Sequence, residues 1–127
     1  MDIGTLLEMG AAPDRVDSRA TCPVDTAIAV IAGKWKLHLL RALYLHGPLR
    51  YNALLQLAAP IAAKELTRNL RELEYAGLVT RRQQSDMPDG LYALTELGTT
   101  LEQTFRALGE FGTAYLLSRR SMQTKPE

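Results

Sequence analysis

IAAKELTRNLRELEYAGLVTRR, residues Ile61 to Arg82, decides how this chain is read. Leu66, Leu70 and Leu73 recur at helical spacing along one face, while Lys64, Arg68 and Arg71, with Thr67 among them, fall on the other. At 3.6 residues per turn this is an amphipathic helix from about Ala62 to Ala76, buried on one side and carrying a narrow cationic ridge on the other. Gly77 stops it, and Leu78 to Gln84 reads as a strand. A helix with such a ridge fits the major groove of DNA, which is wide enough to admit one. The ridge alone does not distinguish a groove-reading helix from an ordinary solvated face, so the flanking segments have to decide.

The chain has 127 residues, 46% of them hydrophobic, which suits one domain with a real core and terminal arms. Its apolar runs are too short for a membrane-spanning helix or a secretory signal, and a cytoplasmic protein is expected. A formal net charge of only +1 argues against a binder driven by bulk charge, because non-specific affinity grows with the number of phosphates neutralised. It leaves room for a specific binder whose bases are grouped on one surface. The single cysteine, Cys22, excludes an internal disulfide and a cysteine-only zinc site.

Residues 1 to 20 mix short apolar pieces with glycine, proline and charges, and read as an N-terminal arm, flexible or docked on a dimer partner. In TCPVDTAIAVIAGKW, Pro23 suits the first helical position and Asp25 the first turn, so Cys22 caps a helix to about Ala32. Val24, Ala27, Ile28 and Ile31 form its expected buried stripe, and Gly33 ends it. A second helix is expected from Lys34 to His46, with Trp35, Leu39, Leu40, Leu43 and Tyr44 inward, stopped by Gly47-Pro48. Leu49 to Tyr51 reads as extended, and Asn52 as the cap of a short helix from Ala53 to Ala58. After the helix of the opening stretch, Leu78 to Gln84 and Leu91 to Leu94 form a hairpin with a long, turn-rich tip at Ser85 to Gly90. Thr95 caps a last helix extending to about Ser118. Within it Leu101, Phe105, Leu108, Gly112 and Tyr115 step by four and three, a coiled-coil spacing that predicts dimerisation. Residues 119 to 127 read as a solvated tail.

Helix, helix, short strand, helix, helix, hairpin, helix is the order of a winged helix-turn-helix. The fold class is therefore mainly α (α+β), with a two-stranded wing and a long C-terminal dimerisation helix in a domain spanning residues 21 to 118. Residues 22 to 116 also resemble the HxlR family of bacterial transcriptional regulators, relatives of the MarR type. The resemblance is carried, in order, by CPVDTAIAVIAGKWK (22–36), LRYNALL (49–55), the opening stretch and YALTELG (92–98). It implies a homodimeric repressor or activator that reads a pseudo-palindromic double-stranded operator. Three departures stand out. Ala62 occupies a position where the family usually has serine, removing a side-chain cap worth about 1 kcal/mol. The wing tip carries Asp86 and Asp89, whereas a tip entering the negative minor groove is normally basic. MPDGLYALT lacks the family's usual proline-rich turn before the tyrosine.

Lys64, Thr67 and Arg68 lie in the N-terminal half of the helix, the part that reaches base edges in this motif. Arg68 has the fork to hold guanine bidentately, a contact worth roughly 1–3 kcal/mol. Arg71, one turn later, is assigned to phosphate, while Asn69 lies off the ridge toward Leu66 and is the poorer candidate. Arg50 and Asn52 are expected to hold phosphate with help from backbone N–H groups, and Arg81 and Arg82 to do more phosphate work than the tip. A family member with a cysteine at position 22 resembles a redox or electrophile sensor. Arg19 lies three residues upstream, and a helix N-terminus favours negative charge. With no second cysteine, the available products are an intersubunit disulfide, a mixed disulfide or an adduct. The plainer reading is a small apolar capping residue that is never modified.

Glu65, Glu72 and Glu74 read as partners of the bases. His38 and His46 have no ligand at metal spacing, and no catalytic motif or phosphate loop appears, so neither an enzyme nor a cofactor is expected. Two alternatives to a thiol-responsive regulator stay open. One is a regulator responding to a small molecule with Cys22 irrelevant. The other is a winged-helix protein-interaction module without DNA binding.

Overall fold

A computed structural model describes residues 22–84 and 87–124. In order, these form α1 (Pro23–Ile31), α2 (Lys36–His46), α3 (Tyr51–Leu57), α4 (Ala63–Tyr75), β1 (Val79–Gln84), β2 (Met87–Leu94), α5 (Glu96–Thr99) and α6 (Glu102–Thr124). This is the winged helix-turn-helix order. The expectations for the arm at 1–20, for Asp86 and for residues 125–127 lie outside the described residues, as does that for the Asp89 side chain.

The core forms where α2, α3 and α4 bring their leucines together beneath the base of the hairpin. Leu39, Leu40, Leu43, Leu54, Leu66, Leu70 and Leu73 are all buried, joined by Trp35, Ile61, Leu78, Val79 and Tyr92. Glycine places the helix ends: Gly47 (φ 78°) donates its N–H to the Leu43 carbonyl, and Gly77 (φ 82°) turns the chain out of α4. The hairpin is antiparallel, with Val79 opposite Leu94 and Gln84 opposite Met87. A third extended piece joins it, as Leu49 and Tyr92 exchange backbone hydrogen bonds of 2.9 and 2.8 Å. Thr95 ties the wing to the body: its hydroxyl donates to the Gly77 carbonyl at 2.6 Å and accepts the Gly98 N–H at 3.0 Å. Gly98 packs so closely on β1's lead-in that a Cβ there would collide with the Leu78 carbonyl.

Six expectations need correction. The Val24 and Ile28 side chains of α1 are 63% and 56% exposed and Ala27 is exposed with them, so of the expected buried stripe only Ile31, half-buried, packs against the core. Tyr44 is also exposed rather than core, with its ring 5.7 Å from that of Phe105. The extended piece before α3 shrinks to Leu49, so the helix begins at Tyr51 with Arg50 as its cap residue, and Asn52 lies inside the first turn. β2 reaches back to Met87, leaving a short tip, because Gly90 (φ 79°) absorbs the register shift between Arg82 and Gln84. The last helix is broken after Thr99. The Thr99 and Thr100 hydroxyls each donate at 2.6 Å to carbonyls three residues back, competing with the helical ladder. Beyond the break α6 continues past Ser118 to Thr124, so the first part of the expected tail is helix.

A helix of 23 residues is about 34 Å long. Leu101 just before it and Phe105 in its first turn pack against the core. Leu108, Phe111, Tyr115, Leu116 and Met122 are exposed farther along.

Candidate nucleic-acid interface

α4 places its leucines and its bases on opposite sides. Leu66, Leu70 and Leu73 are buried, whereas Lys64, Arg68 and Arg71 are exposed and Thr67 is half-buried. Asn69 is only 4% exposed and donates its amide to the Glu65 carbonyl at 2.7 Å, which removes it as a contact residue. The cap position at Ala62 has no side-chain hydrogen bond, as the missing serine implied.

Two links, neither apparent from the sequence, hold this helix against its neighbours. Tyr51, the first residue of α3, donates its hydroxyl to the Ala63 carbonyl at 2.9 Å and lies 2.9 Å from the Thr67 hydroxyl. Glu72 accepts from Lys36 of α2 at 2.8 Å and sits 3.7 Å from Arg68. The hydrogen bond from Lys36 is the main cause that holds the Glu72 carboxyl below its ordinary range, with Arg68 adding to it. A carboxyl pKa depressed by folding stabilises the fold above its unfolded value, and that contribution fades as pH falls through the lowered one. The pair is therefore intact throughout the neutral range. Glu72 was expected as a partner of the bases, as it is for Arg68, but single-helix periodicity cannot show its link to Lys36 on another helix.

The remaining candidates surround α4. Arg50 and Asn52 are exposed at the start of α3. Arg81 and Arg82 are exposed on β1, and as neighbours in a strand they project to opposite faces of the ribbon. The Arg81 guanidinium lies 5.7 Å from the centre of the Tyr92 ring. Arg82 lines a shallow recess with Tyr44, Pro48 and Thr99. Cys22 is exposed at the cap position of α1 with a free thiol that makes no capping hydrogen bond.

The HxlR-like helix-turn-helix family profile matches residues 30–120. The chain belongs to the HxlR family. It is 39% identical over 95 residues to the uncharacterized HTH-type transcriptional regulator YdeP of Bacillus subtilis (strain 168), covering 74% of this chain and 73% of that one. Among solved structures it is similar to the redox regulator HypR in its reduced form, with a TM-score of 0.70, 35% identity, and coverage of 78% and 98%. It is also similar to the quinone-bound form of YodB from B. subtilis, with a TM-score of 0.64, 28% identity, and coverage of 73% and 99%. This HxlR-family chain is thus a DNA-binding transcriptional regulator of the helix-turn-helix type and not an enzyme. None of its described helices is long and apolar enough to cross a membrane.

Proposed function

We propose that the protein is a homodimer that inserts α4 of each subunit into successive major grooves of a pseudo-palindromic operator. The observation that carries this is the exposed ridge of Lys64, Arg68 and Arg71, with half-buried Thr67 among them, backed by fully buried leucines. Lys64, Thr67 and Arg68 face base edges, and Arg71 faces phosphate. Arg50 and Asn52 meet the backbone at one end of the helix. A ribbon laid edge-on between two phosphate strands offers Arg81 to one and Arg82 to the other. The exposed stripe of α6 pairs the two subunits, and a net charge of only +1 suits a binder that relies on placement.

Binding to the protein's own promoter region tests this. Affinity should weaken steeply with salt, with a log–log slope of about −0.9 per phosphate neutralised. Arg68→Ala should cost about 1–3 kcal/mol and relax the preference at one base pair, and Lys64→Ala should also weaken binding. Unchanged affinity and sequence preference in both variants would rule out α4 as the reading helix. Membership of a DNA-binding family favours this reading over a protein-contact module.

The same proposal includes regulation through Cys22. The thiol is exposed beside the uncovered α1 face, and the similar proteins HypR and YodB were solved as a redox regulator and as a quinone-bound form. Two Cys22 thiols from two subunits joining would release two protons and pass two electrons to an oxidant such as diamide. Alternatively, the thiolate adds to the C=C bond of a quinone, with no net oxidation on forming the adduct. Cys22→Ser should abolish the loss of DNA binding caused by diamide or quinone. A full response in Cys22→Ser would instead point to a small-molecule pocket.

A further inference from the structure

The hydrogen bonds around Tyr51 fix which way a proton points at the proposed DNA-facing surface. A phenol carries one proton. The Ala63 carbonyl, 2.9 Å away, has none to give, so the Tyr51 proton lies on that contact. The Thr67 hydroxyl, also 2.9 Å from the Tyr51 oxygen, must then donate to it. A free threonine hydroxyl rotates and serves as donor or acceptor, and for that reason reads bases ambiguously. Here its only proton is spent inside the protein. What Thr67 keeps for the outside are lone pairs, and among the described residues no other donor takes them.

We infer that Tyr51 makes Thr67 an acceptor-only reader, so that its position in the half-site selects a base with an exocyclic amino group. In the major groove those groups are adenine N6 and cytosine N4, whereas thymine O4 and guanine O6 are acceptors that would face Thr67 lone pair to lone pair. Tyr51 is here a positioning residue: it acts through Thr67 and does not touch the base. It stands on α3 and reaches the first turn of α4, so the same contact also sets the spacing between these two helices where Ala62 provides no side-chain cap. The inference rests on α4 being the reading helix.

The test uses duplexes selected from a random pool by the unaltered protein, then varied one base pair at a time. The unaltered protein should prefer adenine or cytosine at one half-site position by about two- to tenfold, the range of one hydrogen bond. Tyr51→Phe frees the Thr67 proton and should erase that preference while leaving the other positions unchanged. Thr67→Val, which keeps the shape but removes the hydroxyl, should erase it at the same position, and the double variant should add nothing further. A preference retained in Tyr51→Phe or Thr67→Val overturns the inference, as does an unaltered protein with no amino preference in either half-site. An equal loss across all duplexes also overturns it, since that reports only helix positioning. Arg68→Ala on the same duplexes separates the two levels. If it leaves binding unchanged, the reading of α4 falls and this inference with it. If it weakens binding while Tyr51→Phe changes no preference, only this inference falls.

Discussion

A protein carrying Phe111→Glu and Tyr115→Glu is expected to run as a monomer in sedimentation and to bind its operator about 10²–10⁴-fold more weakly. Both side chains lie exposed on α6, 69% and 54%, with their rings stacked 6.4 Å apart. Neither packs against the core cluster, so the fold of each subunit should survive and its melting transition should hardly move. The loss arises because a dimer's second half-site binds intramolecularly, at a high effective concentration, and a monomer forgoes that gain. Placing four like charges, two from each subunit, on a two-fold seam opposes association directly. A double variant that remained dimeric would move the interface elsewhere, the exposed α1 face being the next candidate.

Leu70→Ala has the opposite signature. Leu70 is 1% exposed at the centre of the leucine cluster, so its truncation leaves a cavity between α4 and the helices behind it. The expected cost is about 2–5 kcal/mol, read as a fall in the urea midpoint with little change in slope. That is a large share of the stability of a domain this small, which is typically about 5–15 kcal/mol in total. Operator binding by the fraction still folded should be close to normal, since Leu70 points away from the ridge. Truncating Tyr75, 96% exposed on the same helix, should cost little by comparison.

The two variants also mark what the sequence could reveal. Helix ends were legible wherever the backbone demanded a particular residue, as at Gly47, Gly77 and the Thr95 cap. The leucine face of α4 was legible because periodicity reports directly which side of a helix is apolar. Periodicity does not report what covers that side, and so Val24 and Ile28 of α1 were expected in the core and lie exposed. The break after Thr99 was hidden because the apolar spacing runs on through it. Its cause is a pair of threonine hydroxyls and the close packing of Gly98 on Leu78, one local and one tertiary. β2 was read too short since Pro88 and Gly90 look like turn residues, though an edge strand with a bulge accommodates both.

In the candidate site, the exposed bases could be chosen from spacing alone, and Asn69 could be set aside the same way. The Tyr51 contacts and the link from Glu72 to Lys36 could not, because each joins α4 to another helix, although Glu72 itself was already read as a partner of the bases. The cap was misplaced by two residues, from Arg50 to Asn52: the bridge at Leu49 is so short that α3 starts at Tyr51 and leaves Asn52 within it.

The central claim is that α4 reads a two-fold-symmetric operator from within a dimer. Selection from a random duplex pool, run with the unaltered protein and with the Lys64→Ala, Arg68→Ala double variant, tests it most directly. The unaltered protein should enrich two inverted half-sites separated by about 10 base pairs or a multiple of that spacing, and the double variant should lose the enrichment. Enrichment of the same sequence by both proteins, or of no symmetric sequence by either, would contradict it.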